Sequence, residues 1–137
     1  MATQRPSTTR YRTRLYEDVC ALIEREYASD LQLDDVARRI ASSRRQIQRA
    51  FAEIGGSGFR QHLTKVRMEQ AAQLLAAPGP NVKEVARRVG YRQPAQFAKA
   101  FRREHGASPT EFRAMPTAPE MTPITASARM FLEVTSR

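Results

Sequence analysis

Apolar residues recur with the 3.6-residue period of an α-helix along most of the chain. The first stretch, about 13–28, places its apolar side chains on one face, namely Leu15, Val19, Leu22, Ile23 and Tyr27. Similar spacing returns at about 33–41, 43–55, 59–77, 81–89, 94–105 and in a short stretch after Ser108. No segment of length alternates apolar and polar residues as a half-buried strand does. The pattern predicts an all-α fold of about seven helices.

Capping and helix-breaking residues mark the expected ends of these helices. Gly and Pro interrupt the pattern at 55–58, 78–80, 106–109 and 116–123. Ser43 is placed to cap the third helix, which we expect to bury Ile47, Ala50, Phe51 and Ile54. Asn81, with Glu84 three residues later, matches a capping box for the fifth helix. Pro94 fits the first turn of the sixth.

The chain contains an internal repeat. Residues 36–40 are VARRI and residues 85–89 are VARRV, and each is followed by a short turn and a second helix. In that second helix Ile47, Arg49, Ala50 and Phe51 match Phe97, Lys99, Ala100 and Phe101, with one extra residue in the second turn. This is the helix-turn-helix arrangement, whose second helix enters the major groove of DNA. A plain helical bundle that records only a duplication is the alternative.

A long helix at about 59–77 separates the two units. At ~1.5 Å per residue it spans roughly 30 Å, which is close to one turn of B-DNA at roughly 34 Å. A rigid helix of that length can hold two recognition helices one helical turn apart. We therefore expect a monomer to bind two adjacent major grooves.

Basic charge indicates the class of partner. The chain has 23 Lys and Arg against 14 Asp and Glu, a formal net charge of +9 and a pI near 10.8. Residues 1–14 hold four Arg and no acid, residues 15–32 are acidic, and the remaining excess lies in 33–105. Nucleic acid is the first candidate for a polyanionic partner and an anionic membrane surface is the second.

Other function classes find little support in the sequence. No run of about 18 apolar residues predicts a membrane span, and no secretory signal is evident. One Cys favours a cytoplasmic protein. Cys20 lies on the apolar side of the first helix, and His62 and His105 lack metal-ligand spacing. We expect no enzyme activity, no cofactor and no metal.

Three stretches resemble the DNA-binding domain of the AraC/XylS family of transcription regulators. The first unit carries A-x-x-I-x-x-S-x-x-x-I-x-R-x-F over 37–51, and the long helix carries R-x-x-x-A-x-x-L-L over 67–75. The second unit carries V-A-R-R-V-G-Y and then F-x-K-x-F-R-R-x-x-G-x-S-P-x-x-F-R, ending at Arg113. Ser42 and His62 depart from the residues common in the family, and GGSG adds a glycine.

The resemblance suggests a division of the chain. Residues 1–12 form a basic flexible arm that follows the DNA backbone, enters a minor groove or has no role. Residues 13–114 form the DNA-binding domain, with unit one at about 33–55, the linker helix at about 59–77 and unit two at about 81–106. Residues 115–137 form a Pro-rich tail that we expect to be disordered or to dock on the domain or a partner.

Exposed Arg, Lys and Gln on the two second helices are the candidate DNA contacts. Arg binds guanine O6 and N7, and Gln binds adenine N6 and N7. By resemblance, Arg45, Gln48 and Arg49 face the bases, whereas Arg44 is a candidate for phosphate binding. In the second unit we expect base contacts from Gln93, Gln96 and Lys99. The remaining candidates, most of them suited to phosphate, are Arg92, Arg102 and Arg103.

These observations predict a sequence-specific regulator of transcription that binds double-stranded DNA. The resemblance implies an activator that contacts RNA polymerase. Two other classes stay open. One is a nonspecific or architectural nucleic-acid binder, whose binding depends on charge alone. The other is a protein-interaction module that needs a partner.

Overall fold

A computed structural model describes residues 6–115, with side chains from residue 8 onward. Seven α-helices follow one another in this part of the chain, and it contains no strand. The helices are α1 (Pro6–Glu26), α2 (Leu33–Arg39), α3 (Arg44–Ala50), α4 (Phe59–Ala76), α5 (Val82–Arg88), α6 (Pro94–His105) and α7 (Pro109–Ala114). A π-helical turn, Phe51–Gly55, continues α3. The predicted all-α class is confirmed.

Side-chain caps define several of the helix starts. The Ser43 hydroxyl accepts a hydrogen bond from the Gln46 backbone N–H at 3.2 Å, and Asn81 Oδ1 accepts one from the Glu84 N–H at 2.8 Å. These bonds satisfy N–H groups that have no partner within their own helix. Glu84 does not complete the predicted capping box, because its carboxylate pairs with Arg88 at 3.0 Å. Pro94 occupies the first turn of α6, as predicted.

Two hydrophobic cores lie along α4. The first half of α4 packs with α1, α2 and α3, and the second half packs with α5, α6 and α7. The first core contains Leu15, Val19, Leu22, Ile23, Leu31, Val36, Ala37, Ile47, Ala50, Phe51, Phe59, Leu63 and Val66. The second contains Met68, Ala71, Leu75, Val85, Ala86, Val89, Phe97, Ala100 and Phe101. The two helix-turn-helix units therefore share α4 as common support.

The turns of the two helix-turn-helix units contain the same backbone hydrogen bond. The Ser42 N–H donates to the Ala37 carbonyl at 2.8 Å, and the Tyr91 N–H donates to the Ala86 carbonyl at 2.9 Å. The turn that follows is one residue longer in the second unit, because the next helix is capped at Ser43 in one and at Gln93 in the other. That extra residue was predicted from the shift in the repeat.

Two further sequence expectations are wrong in detail. We expected α1 at about 13–28 after a flexible arm, but it begins at Pro6, so residues 6–12 are helical. Their stabilisation comes from long-range contacts of Tyr11 and Arg12 with the first unit, which apolar periodicity does not reveal. Ile54 was expected inward but is 38% exposed, since the wider π-turn changes the angle between successive side chains. The rest of the arm, 1–5, and the tail from 116 lie outside the described residues.

Within the described part, no helix has the length and apolar character needed to cross a membrane.

Candidate nucleic-acid interface

The exposed face of α3 carries four predicted contact residues, Arg44, Arg45, Gln48 and Arg49. Ile47 and Ala50 are fully buried on the other side of this helix, so the core fixes which side faces solvent. Arg44 Nε lies 3.4 Å from Asp34 Oδ1, at the start of α2. Both partners are more than half exposed, and this pair therefore holds Arg44 only weakly.

The N-terminal part of α1 contacts α3, the recognition helix of the first unit. This contact is not predicted by the sequence pattern. The Tyr11 hydroxyl donates to Gln46 Oε1 at 2.8 Å, and the Ser42 hydroxyl donates to the same oxygen at 2.8 Å. Two hydroxyls thus orient the exposed Gln46 side chain on α3. Tyr11 lay in a segment predicted to be flexible, so only the tertiary structure shows this contact.

The exposed face of α6 carries Gln96, Lys99, Arg102 and Arg103, while Phe97, Ala100 and Phe101 fill the core. Arg92 and Gln93 are exposed in the turn before the helix. Arg102 lies 3.5 Å from Glu111, in a pair that is largely exposed on both sides. All six predicted residues of the second unit are therefore accessible, and they sit on the same helix-turn-helix frame as their counterparts in the first unit.

Grooves flank each recognition helix. In the first unit a groove of about 560 Å³ runs between α2, α3 and the start of α4, and Arg44, Gln48 and Arg60 line it. In the second unit a groove of about 350 Å³ is lined by three cations, Lys83, Arg87 and Arg92, together with Ala86, Tyr91 and Pro94. Arg60 and Lys83 were not among the predicted contacts, because neither belongs to a recognition helix. Their position beside these helices suits them to bind phosphate.

Several of the repeated Arg residues on α2 and α5 pair with acids of the chain itself. Arg39 donates to both carboxylate oxygens of Glu26 at 2.7 and 2.6 Å, and this contact lowers the pKa of the Glu26 carboxyl. Arg38 pairs with Asp35, and Arg88 pairs with Glu84. The two-point contact with Glu26 favours a structural role for Arg39 over a direct contact with DNA. The single, exposed pairs of Arg38 and Arg88 hold those side chains only weakly.

A separate groove of about 400 Å³ has the opposite character. Glu24, Glu69, Glu104 and Lys65 line it, along with polar and apolar neighbours, and none of the ten predicted contact residues does. This acidic groove therefore lies apart from the candidate DNA contacts.

Cys20 and His62 are partly buried beside the first core. Cys20 is half-buried, and burial raises the pKa of its thiol, which weakens it as a nucleophile at neutral pH. The His62 ring packs edge-on against Phe51 with centroids 5.8 Å apart. Over residues 6–115 no three His, Cys, Asp or Glu side chains cluster as metal ligands do.

Comparison with known proteins agrees with this geometry. The helix-turn-helix domain family matches residues 36–115. The chain is 30% identical over 91 residues to the lactose operon transcription activator of Staphylococcus xylosus, covering 66% of this chain and 33% of that protein. It spans about a third of the length of the curated relatives that it matches.

Solved structures show the same fold. The C-terminal domain of AraT, a response regulator from Geobacillus stearothermophilus, superposes with a TM-score of 0.72 at 31% identity, covering 82% of this chain and 94% of that one. The DNA-binding domain of AdpA, a global transcriptional factor solved with a target DNA, gives 0.68 at 34% identity, covering 72% and 89%. A probable AraC family transcriptional regulator from Rhodopseudomonas palustris gives 0.67 at 25% identity, covering 75% of this chain and 99% of that one. The chain belongs to the AraC/XylS family of helix-turn-helix transcription regulators, a family of DNA-binding proteins rather than enzymes.

Proposed function

We propose that this protein is a sequence-specific regulator whose α3 and α6 enter two adjacent major grooves on one face of a duplex. The observation that carries the proposal is the repetition of one exposed basic and amide face on two equivalent helices. Each helix follows the same hydrogen-bonded turn, and each has its apolar side locked into a core.

The spacing of the two helices supports binding to adjacent grooves. The 18 residues of α4 join the two cores and extend about 27 Å at ~1.5 Å per residue. Successive major grooves on one face are about 34 Å apart. The two recognition helices belong to units built on the two halves of α4, and this arrangement suits a separation of one helical turn. A monomer on an asymmetric site follows, because the two units of one chain are not identical.

Base recognition is assigned to residues with the right donors at exposed positions. In the first unit Arg45 and Arg49 suit guanine and Gln48 suits adenine. In the second unit Gln93, Gln96 and Lys99 take this role. Phosphate binding is assigned to the cations at the flanks, namely Arg44, Arg92, Arg102 and Arg103, to which the structure adds Arg60, Lys83 and Arg87 as candidates.

The test is a binding selection on randomised duplex DNA with the full chain. We expect two short sequence elements about 10 base pairs apart. Arg49→Ala then relaxes the preference within one element by about 1–3 kcal/mol per base pair, and Lys99→Ala relaxes the other. Lys65→Ala is the matched control, since it removes one positive charge from the acidic groove and leaves both preferences intact.

Enrichment of no sequence, with affinity that depends only on salt, contradicts the proposal. That result identifies a charge-driven or architectural binder, or a module that needs a partner. A single enriched element shows that only one unit recognises bases.

We further propose that the regulator is an activator that contacts RNA polymerase. The name of the S. xylosus relative, a transcription activator, supports this direction of regulation. Transcription in vitro from a promoter bearing the selected site tests it. A rise in transcript with added protein supports activation, and a fall identifies a repressor.

A further inference from the structure

The two cores meet at one charged side chain of α4. Arg67 Nε donates to the Tyr27 carbonyl at 2.7 Å, and its Nη2 donates to the Ser29 carbonyl at 2.8 Å. Both carbonyls belong to the turn that ends α1, where helical carbonyls lack partners within the helix. A cation there also complements the negative end of the helix dipole. Arg67 therefore anchors the middle of α4 to the C-terminal end of α1.

The same guanidinium contacts the second unit. Its Cζ lies 5.6 Å from the centre of the Tyr91 ring, and that ring packs against Phe97 of α6 at a centroid distance of 5.8 Å. Cation–ring contacts of this kind are attractive. One side chain thus connects the end of α1, on the first core, to a residue that supports the second recognition helix.

Gly90 allows this close approach. Its φ is +104°, and a Cβ built there lies 3.1 Å from the Ala28 carbonyl oxygen and 3.1 Å from Arg67 Nε. Tyr27 also connects the two halves of the domain, because its side chain packs against both hydrophobic cores. Arg67 is half enclosed here, and burial lowers the pKa of its guanidinium from the ordinary value, although an Arg remains charged at neutral pH.

We propose that Arg67 is a positioning residue that fixes the placement of the second unit relative to the first, and so sets the spacing of DNA elements that the protein accepts. Its role in DNA selection rests on the proposed two-groove function. Its role as a rigid connection between the cores does not.

Arg113 provides a matched control. Its Nε donates to the Leu75 carbonyl at 3.2 Å, so it too is an Arg that binds backbone carbonyls at a helix end. Its contacts stay on α4 and α7, which belong to the second core, and do not reach the first core. Arg67→Met and Arg113→Met therefore remove similar interactions, but only the first removes a connection between the two cores. Arg67→Lys keeps the charge and tests a partial rescue.

The first measurement needs no DNA. Spin labels at Ala21→Cys on α1 and Thr110→Cys on α7, both exposed, report the distance between the two halves in a Cys20→Ala background. We expect a narrow distance distribution for the otherwise unchanged chain and for Arg113→Met, a broadened one for Arg67→Met, and an intermediate width for Arg67→Lys. Circular dichroism confirms that each variant is folded.

The second measurement is affinity for the two-element site with its spacer changed by one base pair in either direction. One base pair rotates the second element by about 35° and moves it by about 3.4 Å. We expect the unsubstituted chain and Arg113→Met to lose about tenfold or more in affinity on this change. The affinity of Arg67→Met should fall less than about threefold.

Each outcome decides whether Arg67 fixes the second unit relative to the first. A narrow distribution for Arg67→Met, or spacer discrimination as sharp as that of Arg113→Met, overturns the proposal and leaves Arg67 as a cap of α1. If no variant selects a two-element site, the proposed function fails, and the distance distribution alone decides whether Arg67 fixes the two cores.

Discussion

Ala41 adopts a left-handed backbone conformation, with φ at 55°, in the turn of the first unit. The equivalent position in the second unit is Gly90, which has a positive φ as well. A residue with a Cβ costs about 1–2 kcal/mol in this region, while a Gly costs about 0.4–1 kcal/mol through the entropy of the unfolded chain. The free-energy cost of the left-handed conformation at Ala41 therefore exceeds the entropic cost of a Gly at this position.

We therefore expect Ala41→Gly to stabilise the protein, by about 0.5–1 kcal/mol. Denaturant unfolding followed by circular dichroism measures the change. Ala21→Gly is the control: it places Gly at an exposed position inside α1 and should destabilise by about 1 kcal/mol. A loss of stability in both variants shows that the conformation of Ala41 carries no strain.

Glu111 is the residue whose ionisation most directly supports a helix end. The Ser108 backbone N–H donates to Glu111 Oε1 at 2.9 Å, and this bond lowers the pKa of the Glu111 carboxyl below its ordinary value. A lowered pKa in the folded state stabilises the protein above the unfolded-state pKa, about 4.3 for Glu. That stabilisation disappears as the pH falls through the folded-state pKa.

The predicted result is a higher thermal midpoint than that of Glu111→Gln at pH 7, with the difference closing below about pH 4. Thermal melts across this range measure it, with Glu69→Gln as the control for removal of an exposed carboxylate. A difference that stays constant with pH is evidence that the negative charge of Glu111 does not support α7.

At the scale of elements, the end of the first recognition helix departs from its counterpart. The α3 helix continues through the π-turn, whereas α6 stays α-helical to His105. Both end at a left-handed glycine, Gly56 and Gly106, with φ of 77° and 79°. The π-turn brings Gly55 against the Tyr16 ring, where a Cβ would lie 2.5 Å from Tyr16 Cε1.

Gly55→Ala should accordingly destabilise the first core by about 1–3 kcal/mol. The Tyr16 ring packs edge-on against Phe51 with centroids 4.8 Å apart, so a ring displaced by the added methyl group gives up part of that contact. The cost of Gly55→Ala should shrink in a Tyr16→Leu background, which a double-mutant cycle measures. Equal costs in the two backgrounds point to a backbone effect at Gly55 instead of a clash with Tyr16.

Local sequence features specify most of the elements, and long-range contacts specify the exceptions. Ser43, Asn81 and Pro94 mark helix starts through interactions within four residues, and these starts could be predicted. The start of α1 at Pro6 depends on contacts such as that of Tyr11 with Gln46, 35 residues away. The π-turn likewise brings Gly55 against Tyr16, a residue far away in the sequence. Neither leaves a periodic signal in the sequence.

The same distinction between local sequence features and long-range contacts applies to the residues of the candidate interface. The faces of α3 and α6 could be predicted because the buried side of each helix dictates the exposed side. Arg60 and Lys83 could not, since their place beside a recognition helix results from the packing of α4 and α5. Arg67 has a recognisable position in the R-x-x-x-A-x-x-L-L stretch, but its partners in the turn after α1 are 38 and 40 residues away.

At the scale of the whole molecule, we propose that one chain occupies two successive major grooves. Methylation of guanine N7 by dimethyl sulfate tests it most directly, because N7 is exposed in the major groove and is the atom that Arg contacts. The experiment uses the full chain on its selected DNA site, with Arg49→Ala and the Lys65→Ala control in parallel.

We expect two clusters of protected guanines with centres about 10 base pairs apart, and loss of one cluster alone with Arg49→Ala. Protection confined to a single cluster, or spread evenly along the duplex, contradicts binding by two recognition helices.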